Sequence, residues 1–314
     1  MELEGVVEAL CISHERGTEK EPVEQATLIE NFGLEGDAHA GHWHRQVSLL
    51  SYDKVEEFNA KGGCAEKGAF GENILVRGLD FKNLPVGTLL TCGDVVLEMS
   101  QIGKECHSHC QIFQRVGDCI MPREGVFATV KRGGVLRAGM IMKAQLPTAD
   151  ARLRAAVVTL SDKGFAGERE DTSGPRICQL LREAGYEIVE ALLLPDAQKR
   201  LEHELTRLAD SRQVDLIVTT GGTGLSLRDR TPEATMAVAT RNVPGIAEAI
   251  RAGSMEFTKR AMLSRGASVL RNNTLIINLP GSEKAVEEAL GIVLPELEHG
   301  LRVLKGSVHD CARQ

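Results

Sequence analysis

The sequence predicts two domains of different fold class: a mostly-β barrel, then a doubly wound α/β domain with a largely parallel sheet. Short alternating strands with glycine turns dominate the first half, whereas strands and amphipathic helices alternate in the second. A short polar segment bearing a proline, residues 146–152, lies where the pattern changes. We therefore expect domains at residues 1–147 and 152–306, followed by a tail at 307–314.

The first half contains several short apolar runs with the length and alternation of β-strands, and Gly-Asp or Gly-Gly turns follow some of them. One amphipathic stretch, Tyr52–Ala60, is expected to be a helix. Strands at this close spacing are typical of a small β-barrel. The predicted strands are Val6–Ser13, Gln46–Ser51, Asn73–Val76, Val95–Met99, Val126–Lys131 and Met140–Ala144.

The second half alternates buried strands with helices. A helix is expected to begin at Thr172–Pro175 and to end at Gly185, and another to be capped by Thr231 with Pro232 in its first turn. The predicted strands are Leu153–Leu160, Tyr186–Leu194, Asp215–Thr220 and Leu275–Leu279, with further helices over Ala197–Ala209 and after Ser282. Ligands of such sheets bind at the carboxyl ends of the strands.

Composition excludes several classes of protein. The net charge is −7, and residues 151–314 carry no basic excess, which argues against a nucleic-acid partner. No run of about 18 apolar residues is present, so no membrane span is expected. The N-terminus is acidic and lacks a signal-peptide pattern, which predicts a cytoplasmic protein. Disulfides are then not expected, although six of the eight cysteines lie in the first half.

The segment Thr219–Thr235 has the character of a phosphate-binding loop. It follows a β-branched strand, contains Gly-Gly-Thr-Gly and leads into a helix, so that backbone N–H groups and a helix N-terminus face the same point. It is neither a Walker A loop, since no Gly-Lys-Ser/Thr occurs, nor a dinucleotide fingerprint, since Leu227 stands where glycine is required. Asp229 would place a carboxylate beside a bound polyphosphate. Because these negative charges repel each other, its presence indicates that a cation also binds at the site.

Seven motifs in order carry a family resemblance: Leu160–Asp162, Asp171–Gly174, Leu194–Asp196, Thr219–Thr235, Pro244–Glu248, Leu263–Arg265 and Asn278–Ser282. With these motifs, residues 153–305 closely resemble the molybdopterin adenylyltransferases. The resemblance implies transfer of AMP from ATP to the terminal phosphate of molybdopterin, with release of pyrophosphate. ATP and molybdopterin would be the substrates.

The expected site residues follow from this resemblance and from the chemistry of phosphates. Asp196 and Asp229 are assigned to catalysis and to Mg²⁺, which would bridge phosphate oxygens. For Asp196, a role as helix N-cap remains open. Residues assigned to substrate or nucleotide binding are Ser161, Asp162, Thr219, Gly221, Gly222, Thr223, Gly224, Glu248, Ser264, Arg265, Pro280, Gly281 and Ser282. Thr220 is expected to add a hydroxyl to the same loop.

The first half carries a second resemblance, through Gly36–Gly41, Arg45–Leu50, Phe70–Asn73, Leu84–Gly87 and Gln101–Cys106. These stretches resemble a MOSC domain, which implies a β-barrel that carries sulfur or binds the pterin cofactor through a cysteine. Cys106 stands at the matching place, and its neighbours Lys104 and His107 would favour the thiolate.

Other interpretations of the first half stay open. Cys106 and its neighbours His107, His109, Cys110 and Cys119 are a candidate zinc set, although the paired Cys-x2-Cys signature is lacking. Inert core cysteine is a further alternative for Cys106. The run His39, His42 and His44 beside Asp37 is either a metal or anion site or a polar turn with Trp43 packed inward.

At the level of the whole protein, the leading hypothesis is a two-domain enzyme of molybdenum cofactor synthesis. The rivals are a non-catalytic molybdopterin carrier or scaffold, and a cofactor sulfur transferase acting through Cys106. The resemblance implies a homo-oligomer, a trimer or hexamer, and partners that insert molybdate or donate sulfur.

Overall fold

The structure is a computed structural model and describes residues 3–104 and 118–306. The chain divides into two compact units, Met1–Pro147 and Thr148–Gln314. Each unit has buried apolar clusters of its own. Within the described ranges, no helix combines the length and apolar character that crossing a bilayer requires.

The first unit is a closed β-barrel with a small sheet beside it. Its described strands are β1 (Leu3–Ile12), β2 (Glu21–Val23), β3 (Gln25–Ile29), β4 (Gly33–Leu34), β5 (Val47–Ser51), β6 (Ile74–Arg77), β7 (Leu89–Cys92), β8 (Val95–Ile102), β9 (Val126–Arg132), β10 (Gly134–Arg137) and β11 (Ile141–Gln145). Among these, seven strands pair in the order β11-β7-β8-β9-β5-β6-β1, β1 closes the ring by pairing with β11, and β2 pairs with another part of β1. Strands β3, β4 and β10 form a separate three-stranded sheet.

Along these strands, buried apolar residues alternate with more exposed ones, and the buried ones fill the barrel. Val7 and Leu10 of β1, Leu97 of β8 and Val130 of β9 are fully buried in one cluster. A second cluster, around Phe70, packs beneath the helix Tyr52–Ala60, whose bounds are those predicted. The prediction of a β-barrel in the first half is therefore confirmed. The short helices are Phe81–Asn83 and Met121–Glu124.

The second unit is an α/β fold around one mixed sheet. Its strands are β12 (Arg154–Leu160), β13 (Glu187–Leu194), β14 (Leu216–Thr220), β15 (Arg241–Asn242), β16 (Ser268–Arg271) and β17 (Thr274–Leu279). They are ordered β13-β12-β14-β17-β16-β15. The first four run parallel, whereas β16 and β15 are antiparallel to their neighbours.

Helices cover both faces of this sheet. Ser173–Glu183 and the long helix Glu283–Leu304 bury Ile177, Leu181 and Val286 against one face. Gln198–Thr206 buries Leu201 and Leu205 against the other. The remaining helical segments are Asp162–Phe165, Arg207–Ser211, Thr231–Ala237, Pro244–Ser254 and Lys259–Leu263.

Two of the predicted helix details differ from the structure. The helix expected over Ala197–Ala209 is present, but it is α-helical only over Gln198–Thr206 and continues as a π-helical segment, Arg207–Ser211. Thr231 is the first helical residue rather than the cap, which is Arg230. Its hydroxyl donates to the carbonyl of Gly221 at 2.9 Å, so the side chain that would have capped the helix ties it to the glycine loop instead.

Candidate functional site

The carboxyl ends of the four parallel strands lie level with one another. Leu160 of β12 pairs with Leu194 of β13, Thr159 pairs with Thr220 of β14, and Thr220 pairs with Leu279 of β17. The loops that follow these strands therefore meet at one edge of the sheet. They contain most of the residues that the sequence assigns to the site.

The loop after β14 holds its glycines in backbone conformations that other residues rarely adopt. Gly221 has a φ of 94° and Gly222 a φ of 63°. A Cβ on Gly221 would lie 2.4 Å from the carbonyl oxygen of Leu160, and one on Gly222 would lie 2.4 Å from Thr231 Oγ1. A Cβ on Gly224 would lie 2.9 Å from Asp229 Oδ2. The loop thus packs its backbone directly against β12 and against the start of the next helix.

The threonines of β14 use their hydroxyls to join neighbouring strands. Thr219 is fully buried and accepts a hydrogen bond from Asn278 Nδ2 at 2.9 Å. Thr220 is also buried and donates to the carbonyl of Pro280 at 2.7 Å. These contacts join β14 to β17 and its exit loop, and Thr220 also lines the cleft described below.

Asn278 is a site-building residue that the sequence analysis did not single out. Its Nδ2 also donates to Thr235 Oγ1 at 2.8 Å, and its Oδ1 accepts from the N–H of Ala267 at 3.1 Å. One buried amide therefore joins β14, β17, the helix Thr231–Ala237 and the segment before β16. The motif Asn278–Ser282, which begins with this residue, is the feature of the sequence that could have indicated its role.

Asp162 and Asp196 are joined by two reciprocal hydrogen bonds, each from the backbone N–H of one residue to the side-chain carboxylate of the other. The N–H of Asp162 donates to Asp196 Oδ2 at 3.0 Å, and the N–H of Asp196 donates to Asp162 Oδ1 at 3.0 Å. The following helix has Ala197 as its N-cap residue, with no side-chain cap. Asp196 is therefore not a helix cap, and the alternative left open by the sequence is excluded.

Asp229 belongs to the same cluster. Its Oδ2 accepts the N–H of Ser226 at 2.9 Å, within the exposed turn of the glycine loop. The residue before it, Arg228, forms an ion pair with Asp162 across the site. Arg228 also borders a small pocket that Asp196 lines from the other side. All three predicted aspartates therefore lie at this edge of the sheet, but among the described residues they do not form a group of three side chains able to hold a metal ion.

The electrostatics of this cluster are unbalanced. Burial raises the pKa of Asp196, and the negative charges of Asp162 and Asp229 raise it further. The backbone N–H of Asp162 and the guanidinium of Arg228 act in the opposite direction, but the net shift is upward. Three carboxylates lie here beside two exposed arginines, Arg228 and Arg230, so added positive charge is still favourable.

Arg265 holds the glycine loop in place through hydrogen bonds from its side chain and its backbone. Its side chain donates to the carbonyl oxygens of Gly224 and Asp229 and forms an ion pair with Glu233. Its own N–H donates to the carbonyl of Thr223 at 3.0 Å. Hydrogen bonding from Arg265 lowers the pKa of Glu233. The guanidinium is thus committed to the loop, which fixes the backbone that a phosphate would meet.

A cleft of about 160 Å³ opens beside the glycine loop. Thr159 lines it with a hydroxyl that is buried and has no hydrogen-bond partner among the described atoms. On the far side, Asp171 accepts from the N–H of Gly174 at 3.0 Å at the start of a helix. The motif Asp171–Gly174 carries part of the family resemblance, but no site role was predicted for it. The other lining residues are Leu160, Ser161, Gly164, Arg169, Glu170, Thr172, Ser173, Thr220, Gly221 and Gly281.

The serines expected at the site have structural partners. Ser161 Oγ accepts from the N–H of Gly164 and caps a short helix, and Ser282 Oγ caps the long helix by accepting from the N–H of Ala285 at 3.3 Å. Ser264 Oγ accepts from the N–H of Gly266 at 3.3 Å and closes a turn. Of these three serines, Ser161 is the one that lines the cleft.

Three further predicted residues differ in their distance from the cleft. Gly281 approaches Gly221 closely, since a Cβ on Gly281 would lie 3.3 Å from the Cα of Gly221. Pro280 presents its carbonyl to Thr220. Glu248 is exposed on the helix Pro244–Ser254, and none of the hydrogen bonds of the described residues joins it to the glycine loop.

In the first unit, the motif Gly36–Gly41 is organised around buried Asp37. This carboxylate pairs with Lys20 and accepts from Asn73 Nδ2 at 3.0 Å and from the N–H of His39 at 2.9 Å. Burial would raise the pKa of Asp37, but hydrogen bonds from His39 and Lys20 outweigh it and hold the pKa well below its usual range. Asp37 is therefore an ionised anchor of this loop.

The histidines of the run His39, His42 and His44 make separate contacts. His42 Nδ1 lies 3.0 Å from the carbonyl of Asn31, and His44 Nε2 lies 2.8 Å from Gln101 Oε1. His39 Nδ1 lies 3.6 Å from Asp37. Over residues 3–104 and 118–306, no three His, Cys, Asp or Glu side chains form a group able to hold a metal ion. This arrangement favours the polar-turn interpretation of the histidine run.

Trp43 does not pack inward as expected. Its side chain is 38% exposed, its Nε1 donates to the carbonyl of His39 at 3.0 Å, and the guanidinium of Arg45 lies 4.7 Å from its ring centre. These polar contacts hold the indole at the surface. The candidate sulfur carrier Cys106, with His107, His109 and Cys110, lies outside the described residues, whereas Cys119 is buried.

Comparison with known proteins matches both units. A family described as "Probable molybdopterin binding domain" matches residues 156–299, and a MOSC domain matches residues 36–145. The molybdopterin adenylyltransferase of Helicobacter pylori (strain J99) is 39% identical over 158 residues, which are 48% of this chain and 87% of that protein. The molybdopterin adenylyltransferase of Escherichia coli (strain K12) is 41% identical over 141 residues, 44% of this chain and 72% of that protein.

A solved structure of the molybdopterin biosynthesis enzyme MoaB from Thermus thermophilus is 45% identical, with a TM-score of 0.47, and the match covers 49% of this chain and 97% of that one. The match to the relative from Helicobacter pylori covers most of that protein's length. The chain therefore belongs to the molybdopterin adenylyltransferase family through residues 156–299 and carries a MOSC domain in residues 36–145.

Proposed function

We propose that the second unit transfers AMP from ATP to the terminal phosphate of molybdopterin and releases pyrophosphate, as a step of molybdenum cofactor biosynthesis. The observation that carries this proposal is the cluster of Asp162, Asp196 and Asp229 against the glycine loop, at the carboxyl edge of the parallel strands. Relatives named molybdopterin adenylyltransferase, at about 40% identity, give the reaction.

The three carboxylates do not form a metal-holding group by themselves, but two of them, Asp196 and Asp229, fit a Mg²⁺ ion whose other ligands are phosphate and water. Mg²⁺ is usually held by one or two carboxylates, with phosphate oxygens and water completing its shell. Asp196 and Asp229 would supply the carboxylates; burial, and then the negative charges of Asp162 and Asp229, raise the pKa of Asp196. When bound, the ion would offset the negative charge of the phosphates.

The protein's own contribution is orientation and hydrogen bonding. Gly221, Gly222 and Gly224 leave the loop without side chains, so backbone N–H groups can approach phosphate closely. Arg265 and Asn278 hold that loop in place through buried or half-buried contacts. A phosphate nucleophile is already ionised at neutral pH, so the site needs donors and positive charge rather than a strong base. The cleft beside Thr159 offers space for the second substrate.

The test is pyrophosphate release by the purified full chain supplied with molybdopterin, ATP and Mg²⁺. Asp229→Asn should reduce the rate about 100-fold or more, since the ligand charge is lost while the shape is kept. Asp80→Asn, which changes an exposed carboxylate of the first unit, should leave the rate unchanged. Molybdopterin binding without any pyrophosphate release by the wild-type chain would instead identify a non-catalytic carrier or scaffold.

For the first unit, we propose that the MOSC domain binds the cofactor or carries sulfur through Cys106. The match of residues 36–145 to the MOSC family favours this role. A sulfur atom added to Cys106, found by mass spectrometry of the purified chain and absent from a Cys106→Ser variant, tests it. Addition of sulfur to another cysteine, or to none, argues against Cys106.

The setting of the protein follows from the same proposal. We infer domains at residues 1–147 and 152–306 with a tail at 307–314, a homo-oligomer of three or six chains, and a cytoplasmic location. Partners would be proteins that insert molybdate or donate sulfur. Light scattering of the purified chain measures the number of chains directly.

A further inference from the structure

Arg228 is a charged residue of the site whose ion pair is open to solvent. It forms an ion pair with Asp162 in which the two side chains are 66% and 44% exposed. Exposed pairs of this kind contribute little to stability. Its neighbour Leu227 is 88% exposed, so the turn that carries Arg228 projects into solvent.

The position of Arg228 nevertheless links all three carboxylates. Asp162, its partner, is bonded to Asp196 through two backbone hydrogen bonds. Arg228 and Asp196 border the same small pocket, and Asp229 follows Arg228 in the chain. The guanidinium therefore supplies positive charge where the proposed Mg²⁺ would also supply it.

Arg265 behaves differently. Its donors are committed to the carbonyl oxygens of Gly224 and Asp229 and to Glu233, and these contacts build the loop. Of these two arginines, Arg228 is thus the one that can leave its partner without disturbing the glycine loop. An arginine released beside that loop would meet the phosphates of a bound nucleotide, which the planar guanidinium binds well.

We propose that Arg228 exchanges partners: it pairs with Asp162 in the free protein and moves to the nucleotide's phosphates when a divalent cation occupies the carboxylates. This inference rests on the proposed function, because it assumes that nucleotide and Mg²⁺ bind at this edge of the sheet. Arg228 and the cation then compete for the same negative charge, whereas Arg228 and the nucleotide attract each other.

Two titrations of the full chain separate these effects without turnover. The first measures Mn²⁺ alone by calorimetry, and the second measures α,β-methylene-ATP in saturating Mg²⁺, since this analogue cannot release pyrophosphate. Arg228→Gln should tighten Mn²⁺ binding about 3- to 10-fold and weaken the nucleotide analogue about 10-fold. Arg228→Lys, which keeps the charge, should bind Mn²⁺ as the wild type does and weaken the analogue less.

A matched control comes from the first unit. The ion pair of Arg123 with Asp118 is similarly exposed, at 55% and 48%, so Arg123→Gln removes the same charge from a comparable pair. This variant should leave both titrations unchanged. Opposite shifts in Arg228→Gln support the exchange, because a purely structural defect would weaken both ligands.

The inference is overturned if Arg228→Gln weakens Mn²⁺ binding, leaves either affinity unchanged, or if the wild type binds no Mn²⁺ at all. Failure of the proposed function has a different signature. In that case the wild-type chain releases no pyrophosphate from ATP and molybdopterin, whatever the two titrations show.

Discussion

At Gly222, the loop of the candidate site requires a residue without a side chain. Its φ of 63° is left-handed, and a Cβ there would lie 2.4 Å from Thr231 Oγ1 and 3.5 Å from Asp196 Oδ1. A side chain would therefore collide with the hydroxyl that ties the next helix to the loop, and it would point toward a proposed metal ligand. Backbone strain and steric overlap add at this residue.

Gly222→Ala should lower the free energy of unfolding of the second unit by about 2–4 kcal/mol and abolish pyrophosphate release. The measurement is urea unfolding followed by far-UV circular dichroism, together with the pyrophosphate assay. Gly185→Ala is the matched control, since Gly185 has a φ of 90° but a Cβ added there would meet no atom within 4 Å. That variant should lose only about 1 kcal/mol and retain activity. Equal losses in the two variants would show that sterics at Gly222 are unimportant.

At the scale of secondary structure, apolar runs were enough to locate the strands that form the site. Strands β12, β14 and β17 begin within one residue of the predicted positions and end where predicted, because each is a continuous buried run. The carboxyl ends of parallel strands share an edge, so the sequence also predicted that Asp162, Asp196 and Asp229 would meet.

What the sequence did not reveal depends on contacts between distant residues. Arg265 contacts Gly224, 41 positions away, and Asn278 contacts Thr219, 59 positions away. Thr231 has the residue type of a helix cap, yet its hydroxyl finds a partner in Gly221 that only the folded loop supplies. The short strand β15 has two residues, too few for any alternation.

The turn that leads into β6 contains a buried acid whose ionisation should be visible in stability. Glu72 is fully buried and accepts the N–H groups of Gly68 and Phe70 at 2.8 and 3.0 Å. Burial raises its pKa from 4.5 to about 7, although these hydrogen bonds and the charge of Lys20 oppose the shift. Between these two values the folded protein binds a proton that the unfolded chain does not, so stability falls as pH rises.

We therefore expect the first unit to lose about 2–3 kcal/mol of unfolding free energy between pH 5 and pH 8 through Glu72. Fluorescence of Trp43, the only tryptophan in the sequence, reports the urea unfolding of this unit. Glu72→Gln should flatten the pH dependence, whereas Glu66→Gln, at an exposed position, should retain it. An unaltered slope in Glu72→Gln would assign the pH dependence to other groups.

At the scale of the whole molecule, the two units have separate means of stabilisation. The barrel closes on a core that includes Leu10 and Leu97, and the α/β unit packs helices on both faces of its sheet. The barrel's polar contacts gather around Asp37, whereas those of the second unit gather around the glycine loop. A ligand of the second unit should therefore act on that unit's unfolding.

This separation predicts two unfolding transitions that respond differently to nucleotide. With Mg²⁺ and α,β-methylene-ATP at about 100 times its dissociation constant, the second unit should gain about 2.7 kcal/mol. Far-UV circular dichroism, dominated by helices such as Ser173–Glu183 and Glu283–Leu304, should shift to higher urea. Trp43 fluorescence should not shift, and in Asp229→Asn neither signal should move. A joint shift of both signals in the wild type would mean that the barrel and the α/β unit unfold as one cooperative system, because linkage then stabilises every residue that unfolds with the binding site.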